Sequence, residues 1–170
     1  MNKVYINQIE ELTEKRINNI LFDSDKDDWN VNTSVFIQRI MNKEHIIIII
    51  EDEDGNKFGG YVNSKIDKVE SYIKDSKSFV FSLKSNGRMK GMKKFDIKQP
   101  QCAFYLHSQS DDCLFKFGNG YDIFVGKENI KTKSYCQQQS FDYKGKRKAL
   151  CGKKYPNSFT PKRIMVIEMK

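Results

Sequence analysis

Histidine and cysteine are scarce in this chain of 170 residues. The two histidines are His45 and His107, and no two of the four cysteines stand at the CxxC spacing that is typical of zinc sites. The spacing therefore gives no support for a metal centre, and no cofactor is predicted. We expect reduced thiols in a cytosolic protein. The cysteines are Cys102, Cys113, Cys136 and Cys151.

Long apolar runs are also missing. No run approaches the roughly 20 residues that a membrane-spanning helix needs. The N-terminal letters MNKVYINQIEEL contain acidic residues where a secretory signal would have its apolar core. We therefore expect a soluble cytoplasmic protein that does not insert into a membrane. With 38% hydrophobic and 12% aromatic residues the composition is globular rather than disordered, and the length suits a single domain over residues 1–170.

The patterns that carry catalysis or bind common ligands are absent. Cys102 and His107 are five residues apart around one predicted strand, which places them on opposite faces rather than as a nucleophile and its base. The aspartates of residues 23–27 resemble the start of a calcium loop, but Asp28 stands where that loop needs glycine, and Ser34 where it needs glutamate. No GK[ST] motif follows the glycines, so no phosphate loop is predicted. The sequence therefore does not support an enzyme.

Charge is distributed unevenly along the chain. Residues 1–75 carry 10 basic and 15 acidic side chains, whereas residues 76–170 carry 20 basic and 7 acidic ones. Such a split favours an anionic partner for the second half. The alternative is compositional, because a chain rich in Lys, Asn and Ile is typical of an AT-rich genome that uses lysine as its default surface residue.

The strongest basic cluster lies in residues 144–154. Neighbouring Tyr143 and Tyr155 could stack on bases while the cations contact phosphates, so nucleic-acid binding is one hypothesis. The letters KGKRK also resemble a nuclear localisation signal, which would add the nucleus to the cytoplasm. The alternatives are a solvated loop and a docking patch for an acidic protein. Cys151 lies among these cations and is the candidate redox thiol. The cations are Lys144, Lys146, Arg147, Lys148, Lys153 and Lys154.

The hydrophobic patterns predict an α+β protein that is mainly β, with its helices early in the chain. Apolar residues at mostly helical spacing predict an amphipathic helix over residues 6–21, so that residues 1–20 form a helical N-terminal extension, and Thr33 is placed to cap a second helix. Short strands without βαβ alternation indicate antiparallel sheets packed face to face. They are predicted near residues 46–50, 58–61, 78–83, 95–97, 103–106, 114–117, 121–125 and 164–167, with loops at 63–77, 127–140 and 144–158.

The clearest of these segments is HIIIIIEDEDGNKFGGYV at residues 45–62. The isoleucine run predicts a buried strand, and Asp54-Gly55 indicates a hairpin with a tight primed turn. The return strand starts with Phe58, Gly59, Gly60 and Tyr61. Since glycine weakens a strand, its two glycines indicate a bulge or a close approach of backbones.

A second glycine-rich turn contains Gly118 and Gly120. Asn119 between them tolerates a left-handed backbone, so the segment predicts a turn rather than a ligand loop. Asp122 follows directly. We expect its carboxylate to accept hydrogen bonds from backbone amides of this turn, which is a structural role rather than a catalytic one.

The order of these segments, over residues 20–169, resembles the TLDc domain of the oxidation-resistance and TBC/LysM-associated proteins. LFDS followed by Asp28-Trp29-Asn30 resembles the opening segment of that family. DGNKFGGY, FVFSL, FGNGYDIFV and FTPKRIMVIEM follow in the family's order, the last as its closing strand. Trp29 is thus counted with the structural motif residues.

The resemblance implies a two-sheet antiparallel β-sandwich with flanking helices. It also implies a non-catalytic role in resistance to oxidative stress, with a protein partner that in several members is the vacuolar proton-pumping ATPase. The chain departs from the family pattern at two positions. Asp28 stands where a glycine is usual, and Met165 where the closing strand usually has a glutamate. If that glutamate contributes to oxidative protection or partner binding, this chain lacks the contribution.

Overall fold

Two antiparallel sheets packed face to face form the protein, as the sequence predicts. The structure is a computed structural model that describes residues 1–130, 134–151 and 158–170. The elements in chain order are α1 Lys3–Thr13, β1 Ile17–Asp23, α2 Phe36–Ile40, β2 Ile46–Asp52, β3 Lys57–Val62, β4 Tyr72–Ile73, β5 Phe79–Lys84, β6 Lys93–Asp96, a 3-10 helix Pro100–Cys102, β7 Phe104–Leu106, β8 Cys113–Phe117, β9 Ile123–Gly126, β10 Ser134–Tyr135, β11 Ser158–Phe159 and β12 Pro161–Met169.

Each sheet has six strands among the described residues. The first sheet has the order β1-β12-β2-β3-β5-β6, and the second has the order β11-β10-β9-β8-β7-β4. β12 therefore lies between β1 and β2 and pairs with both. In the described part of the chain, no helix is long and apolar enough to cross a bilayer.

The isoleucine run is apolar throughout because β2 is buried on both of its faces. Ile46, Ile48 and Ile50 point into the core between the sheets, where they meet aromatic side chains of the second sheet. Ile47 and Ile49 point to the other face of the first sheet, which α1 covers. Alternation along a strand is lost when both faces are covered.

The helix predicted over residues 6–21 is wrong in its second half. α1 ends at Thr13, Glu14 adopts a left-handed conformation at φ 55°, and Ile17 begins strand β1. Helical spacing of the apolar residues is overridden here by pairing with β12, in which Ile17 lies opposite Met169. Residues 1–20 are therefore not a purely helical extension.

The cap predicted for the second helix is also wrong. α2 begins at Phe36, and the hydroxyl of Ser34, not of Thr33, accepts a hydrogen bond from the backbone N–H of Phe36 at 3.2 Å. Ser34 is two residues before Phe36, within reach of that N–H. The helix is only five residues long.

The hairpin of β2 and β3 is present, but its turn is not the tight primed type. The N–H of Gly55 donates to the carbonyl of Asp52 at 3.0 Å, and the N–H of Asp52 donates to the carbonyl of Asn56 at 3.1 Å. Gly55 has φ 84° and Asp54 has no positive φ. The connection is therefore a three-residue loop with a left-handed glycine at its end, which is a common alternative to two-residue turns.

Two of the predicted loops contain short strands. β4 lies within residues 63–77 and β10 within residues 127–140. The first of these segments also buries Ile66 in the core. Strands of two residues are too short for a period of two to be visible in the sequence.

Candidate functional site

Gly59 and Gly60 lie where no side chain fits. A β-carbon on Gly59 would overlap the backbone carbonyl of Ile48 in the neighbouring strand. A β-carbon on Gly60 would lie 2.5 Å from the ring of Phe117, which reaches across from the second sheet. The aromatic residues on either side of the two glycines lie on opposite faces of the sheet. Phe58 packs on Phe159 in the core, with a ring separation of 5.1 Å. Tyr61 stacks on Phe79 beneath α1, with a ring separation of 5.0 Å. The Phe58–Tyr61 segment therefore has a structural role in packing the two sheets and α1.

Asp122 is completely buried and acts as a hydrogen-bond acceptor for a distant segment. Its carboxylate accepts from the N–H groups of Gln139 and Ser140 at 3.0 Å and from the hydroxyl of Tyr143 at 2.7 Å. The expected amide donors from the turn of residues 118–120 are not among its partners, so that detail of the prediction is wrong. Burial raises the pKa of Asp122, and the hydrogen bonds that its carboxylate accepts oppose this shift.

The glycines of the turn make room for these contacts. Gly118 has φ 77°, and a β-carbon there would overlap the carboxylate of Asp122. A β-carbon on Gly120 would overlap the side chain of Gln139. The turn therefore packs directly on the segment that leads to the cationic loop.

Four of the predicted cations form what we call the cationic loop: Lys144, Lys146, Arg147 and Lys148. All four are exposed, and in the described part of the chain none of them forms an ion pair. Lys153 and Lys154, together with Tyr155, lie outside the described residues. The loop is followed directly by the buried Ala149 and Leu150.

The backbone of the cationic loop is held by side chains from other elements. Arg88 donates from Nε to the carbonyl of Lys148 at 3.0 Å and from Nη2 to the carbonyl of Leu150 at 2.8 Å. Gln138 donates to the carbonyl of Lys146 at 2.6 Å and accepts from the N–H of Ala149 at 2.8 Å. These four hydrogen bonds hold three carbonyl groups and one N–H group of the backbone, while the cationic side chains are exposed to solvent.

Tyr143, at the start of the loop, is not available for stacking on a base. Its ring is only 6% exposed, packs on Phe95 at a ring separation of 5.0 Å, and directs its hydroxyl to Asp122. The part of the nucleic-acid hypothesis that used Tyr143 as a stacking platform is therefore wrong. Chemically, the site offers exposed cations on a backbone that hydrogen bonds hold, without an aromatic partner from Tyr143.

Cys151 is 4% exposed, so the cations before it do not place its thiol at the surface. Its backbone carbonyl accepts a hydrogen bond from Asn56 Nδ2 at 3.0 Å. Its thiol contacts that of Cys136, whose pKa is raised well above the usual range by burial and by this contact. All four cysteines are thiols, and Cys102 is the most exposed of them.

Trp29 and Met165 occupy packing positions at opposite sides of the first sheet. Trp29 is half-buried against the core, and its carbonyl accepts the N–H of Glu128 at 3.0 Å. Met165 lies on the outer face of the sheet and lines a cavity of about 220 Å³ beneath the start of α1, together with Tyr5 and Leu83. Met165, the position for which the resemblance implies a glutamate in the family, is thus an apolar and covered side chain here.

The second sheet carries a row of aromatic residues that sequence reasoning missed. Tyr72, Tyr105, Lys116, Phe124 and Tyr135 lie opposite one another on five adjacent strands. Lys116 Nζ is 4.3 Å from the centre of the Tyr105 ring, within the range of a cation–π interaction. Cross-strand register cannot be obtained from local patterns, which is why the row was not predicted.

Three metal-ligating side chains gather beside this row. Glu70, His107 and Asp111 each place one ligand atom within 4.8 Å of the others. His107 Nδ1 lies 3.0 Å from Asp111 Oδ2, while Glu70 accepts from the hydroxyl of Tyr105 at 2.9 Å and from the N–H of Ser108 at 2.7 Å. Only His107 and Asp111 hydrogen-bond each other, and among the described residues His107 Nε2 is buried without a hydrogen-bond partner. The three side chains could together hold a divalent cation.

Comparison with known proteins gives a match to a family model, and it agrees with the order of sequence segments and with the two-sheet β-sandwich. The family model described as the TLDc domain matches residues 1–168 and therefore includes α1. No curated protein matches the chain significantly. Because the family model covers nearly the whole sequence, the chain belongs to the TLDc domain family.

Proposed function

We propose that this TLDc protein acts by binding and not by turnover, and that its cationic loop docks on an acidic protein surface as part of an oxidative-stress response. The observation that carries the proposal is the set of four exposed, unpaired cations on a backbone that Arg88 and Gln138 hold in place. The family resemblance supports a subunit of the vacuolar proton-pumping ATPase as the partner.

Fixing the loop backbone before binding matters energetically. An interface loses affinity when loops must be ordered on contact, so a loop that is already held keeps more of its interaction free energy. Charges at an interface rim mainly speed association and select partners of opposite sign. A held cationic loop is therefore suited to recognition of an acidic surface.

Changing Lys146, Arg147 and Lys148 together to alanine is expected to weaken binding to purified peripheral subunits of the proton pump by roughly 10-fold or more, since three interfacial charges each contribute up to about 1 kcal/mol. Binding should be measured by isothermal calorimetry between low and physiological salt. The matched control changes Lys26, Lys65 and Lys68, which are exposed in the first half of the chain, and removes the same net charge.

Equal weakening by both triple variants would contradict docking through the loop. Duplex DNA serves as a second probe in the same titration. Micromolar DNA binding that falls steeply with salt and is lost only in the loop variant would instead favour the nucleic-acid alternative. Absence of DNA binding at low salt would exclude that alternative.

The oxidative part of the proposal predicts that hydrogen peroxide oxidises Cys151. The thiolate would attack one peroxide oxygen to give a sulfenic acid and hydroxide, and the Cys136 thiol would then condense with the sulfenic acid to give a disulfide and water. Because Cys151 is buried, we expect a slow reaction that sub-denaturing urea accelerates. Mass spectrometry of each cysteine, with Cys151→Ser as the variant, measures this. Oxidation confined to Cys102 would contradict it.

A further inference from the structure

Three side chains with metal-ligating atoms come together beside the edge strand β4 of the second sheet. His107 and Asp111 belong to residues 107–112, which connect β7 to β8, and Glu70 lies two residues before β4. Because β4 pairs with β7, the carboxylate of Glu70 is brought next to this connection. One ligand atom from each of the three side chains lies within 4.8 Å of the other two. We call this group the Glu70–His107–Asp111 cluster.

The spacing of the cluster suits ligands that share one ion. His107 Nδ1 and Asp111 Oδ2 are 3.0 Å apart. Zinc bonds of about 2.0–2.1 Å at a tetrahedral angle place two ligand atoms roughly 3.3 Å apart, so this pair needs little movement. Glu70 has to approach further, and its exposed side chain has room to do so. Its two oxygens accept from Tyr105 and Ser108, and each keeps a second lone pair for an ion.

The two carboxylates of the cluster are close together and both favour the charged form. Hydrogen bonds, first that from the backbone N–H of Ser108, lower the pKa of Glu70. Burial acts to raise the pKa of Asp111, but hydrogen bonds, first that with His107, lower it overall. In the described part of the chain, neither carboxylate forms an ion pair with a lysine or an arginine, and the ammonium group of Lys127 donates to two backbone carbonyls. A divalent cation between the carboxylates would relieve their mutual repulsion.

The ring of His107 is buried at a cost that its own hydrogen bond does not fully offset. The residue is 8% exposed and packs on the rings of Tyr105 and Phe124. Nδ1 faces Asp111, whereas Nε2 is buried and has no hydrogen-bond partner among the described residues. Buried polar atoms without a partner are uncommon and unfavourable. Hydrogen bonding alone therefore does not explain why an imidazole lies here, whereas a role as a ligand does.

We propose that the Glu70–His107–Asp111 cluster is a binding site for a divalent metal ion, and that its ligand set selects Zn²⁺. One imidazole nitrogen and two carboxylate oxygens are ligands that Zn²⁺ accepts, and a water molecule completes its four. Mg²⁺ and Ca²⁺ prefer sets of oxygen ligands, so the imidazole disfavours them. With Nδ1 on the ion, the neutral ring carries its proton on Nε2. The site is separate from the cationic loop, and the inference does not depend on the proposed function.

A bound ion ties two segments of the second sheet together. β4 is an edge strand of only two residues, Tyr72–Ile73, and Glu70 precedes it directly. The backbone N–H of Glu70 already donates to the carbonyl of Leu106 at 2.9 Å, at the end of β7. An ion that Glu70 shares with the β7–β8 connection adds a second link at the same place. Since the unfolded chain lacks this arrangement, binding of the ion raises the stability of the folded protein.

The test is isothermal calorimetry of Zn²⁺ with the full chain, without an affinity tag and in a buffer that does not chelate metals. We expect saturable one-to-one binding. Glu70→Gln and His107→Gln should each weaken it at least roughly 10-fold, because even loss of a residue that only supports a ligand costs about 10- to 100-fold. The matched control is His45→Asn, which removes the other histidine of the chain. Asn tolerates the left-handed backbone at this position, where φ is 53°, so this variant should bind as the wild type does.

Thermal unfolding gives a second readout. With free Zn²⁺ at about ten times its Kd, the wild type should unfold roughly 3 to 6 °C higher, whereas Glu70→Gln should not respond. Glu70 is exposed, so the Gln variant should fold without the ion. Co²⁺ is the spectroscopic probe, and we expect no charge-transfer absorption from thiolate ligands.

Several results would overturn the inference. They are absence of saturable binding, equal binding by the wild type and both ligand variants, loss of binding in His45→Asn, and a thiolate band with Co²⁺. Stabilisation by Mg²⁺ as large as that by Zn²⁺ would also overturn it, because a nonspecific acidic group and not the imidazole would then hold the ion.

Discussion

Replacing Gly59 by alanine is expected to destabilise the protein by about 4 kcal/mol or more, which is the range of exceptional core mutations. The added β-carbon would overlap the backbone carbonyl of Ile48, and a backbone atom cannot move aside as a side chain can. Strands β2 and β3 would have to separate, with loss of ladder hydrogen bonds at the centre of the first sheet. Urea denaturation followed by circular dichroism measures the change in the free energy of unfolding.

Two other glycines provide the comparison. Gly60→Ala should cost less than Gly59→Ala, because its obstacle is the ring of Phe117, and a second change, Phe117→Leu, should recover part of the loss. Gly91→Ala is the control: nothing lies within 4 Å of its added β-carbon, and its φ of 66° costs roughly 1 kcal/mol of backbone strain. A cost for Gly59→Ala no larger than for Gly91→Ala would contradict the packing role.

Replacing Asp122 by alanine is expected to cost about 3 to 5 kcal/mol. The buried donors of Ser140 and Tyr143 and the partly buried N–H of Gln139 lose their acceptor, and each buried donor without a partner costs about 1 to 3 kcal/mol. The donors belong to Gln139, Ser140 and Tyr143, which lead into the cationic loop. Loosening of this segment should also speed tryptic cleavage at Arg147. The measurements are urea denaturation and the rate of limited proteolysis.

Asp142→Ala is the matched control, because Asp142 is exposed and, among the described residues, its carboxylate accepts only the N–H of Lys144, at 3.0 Å. It should change the free energy of unfolding by less than about 1 kcal/mol. Similar effects of the two alanine variants would show that the buried carboxylate does not organise the segment.

The pH dependence of stability gives a separate readout on Asp122. Burial raises its pKa above the ordinary 3.8, so the folded protein binds this proton more tightly than the unfolded chain does. The stability that this proton contributes is present below pH 3.8 and is lost as the pH rises from 3.8 to the raised pKa. In Asp122→Asn this decline should disappear.

Local patterns predicted the β2–β3 hairpin and the two-sheet fold because the isoleucine run and the glycine pairs are contiguous in the chain. They failed at Ile17, where the partner that imposes a strand is Met169, far away in sequence. Helical spacing is a local property, whereas strand pairing is not, so the end of α1 could not be located.

The candidate site was predicted only in part for the same reason. The cations of the loop are visible as letters, but the residue that holds the loop, Arg88, lies about 60 positions earlier and has no motif. Burial of Tyr143 depends on Phe95 and Asp122, which come from two other segments. The charge of the loop could thus be predicted from the sequence. The burial of Tyr143 and the hydrogen bonds from Arg88 to the loop backbone could not.

The position of β12 between β1 and β2 has a consequence for biosynthesis. The isoleucine strand is made first, and 108 residues separate its last residue, Asp52, from its partner on one side, Pro161–Met169. At translation rates of about 5 to 20 residues per second, this interval lasts roughly 5 to 20 s. During that time an apolar, β-branched strand has one unpaired edge on the ribosome, which is the kind of segment that aggregates. The nascent chain is therefore a natural client for chaperones until the closing strand emerges.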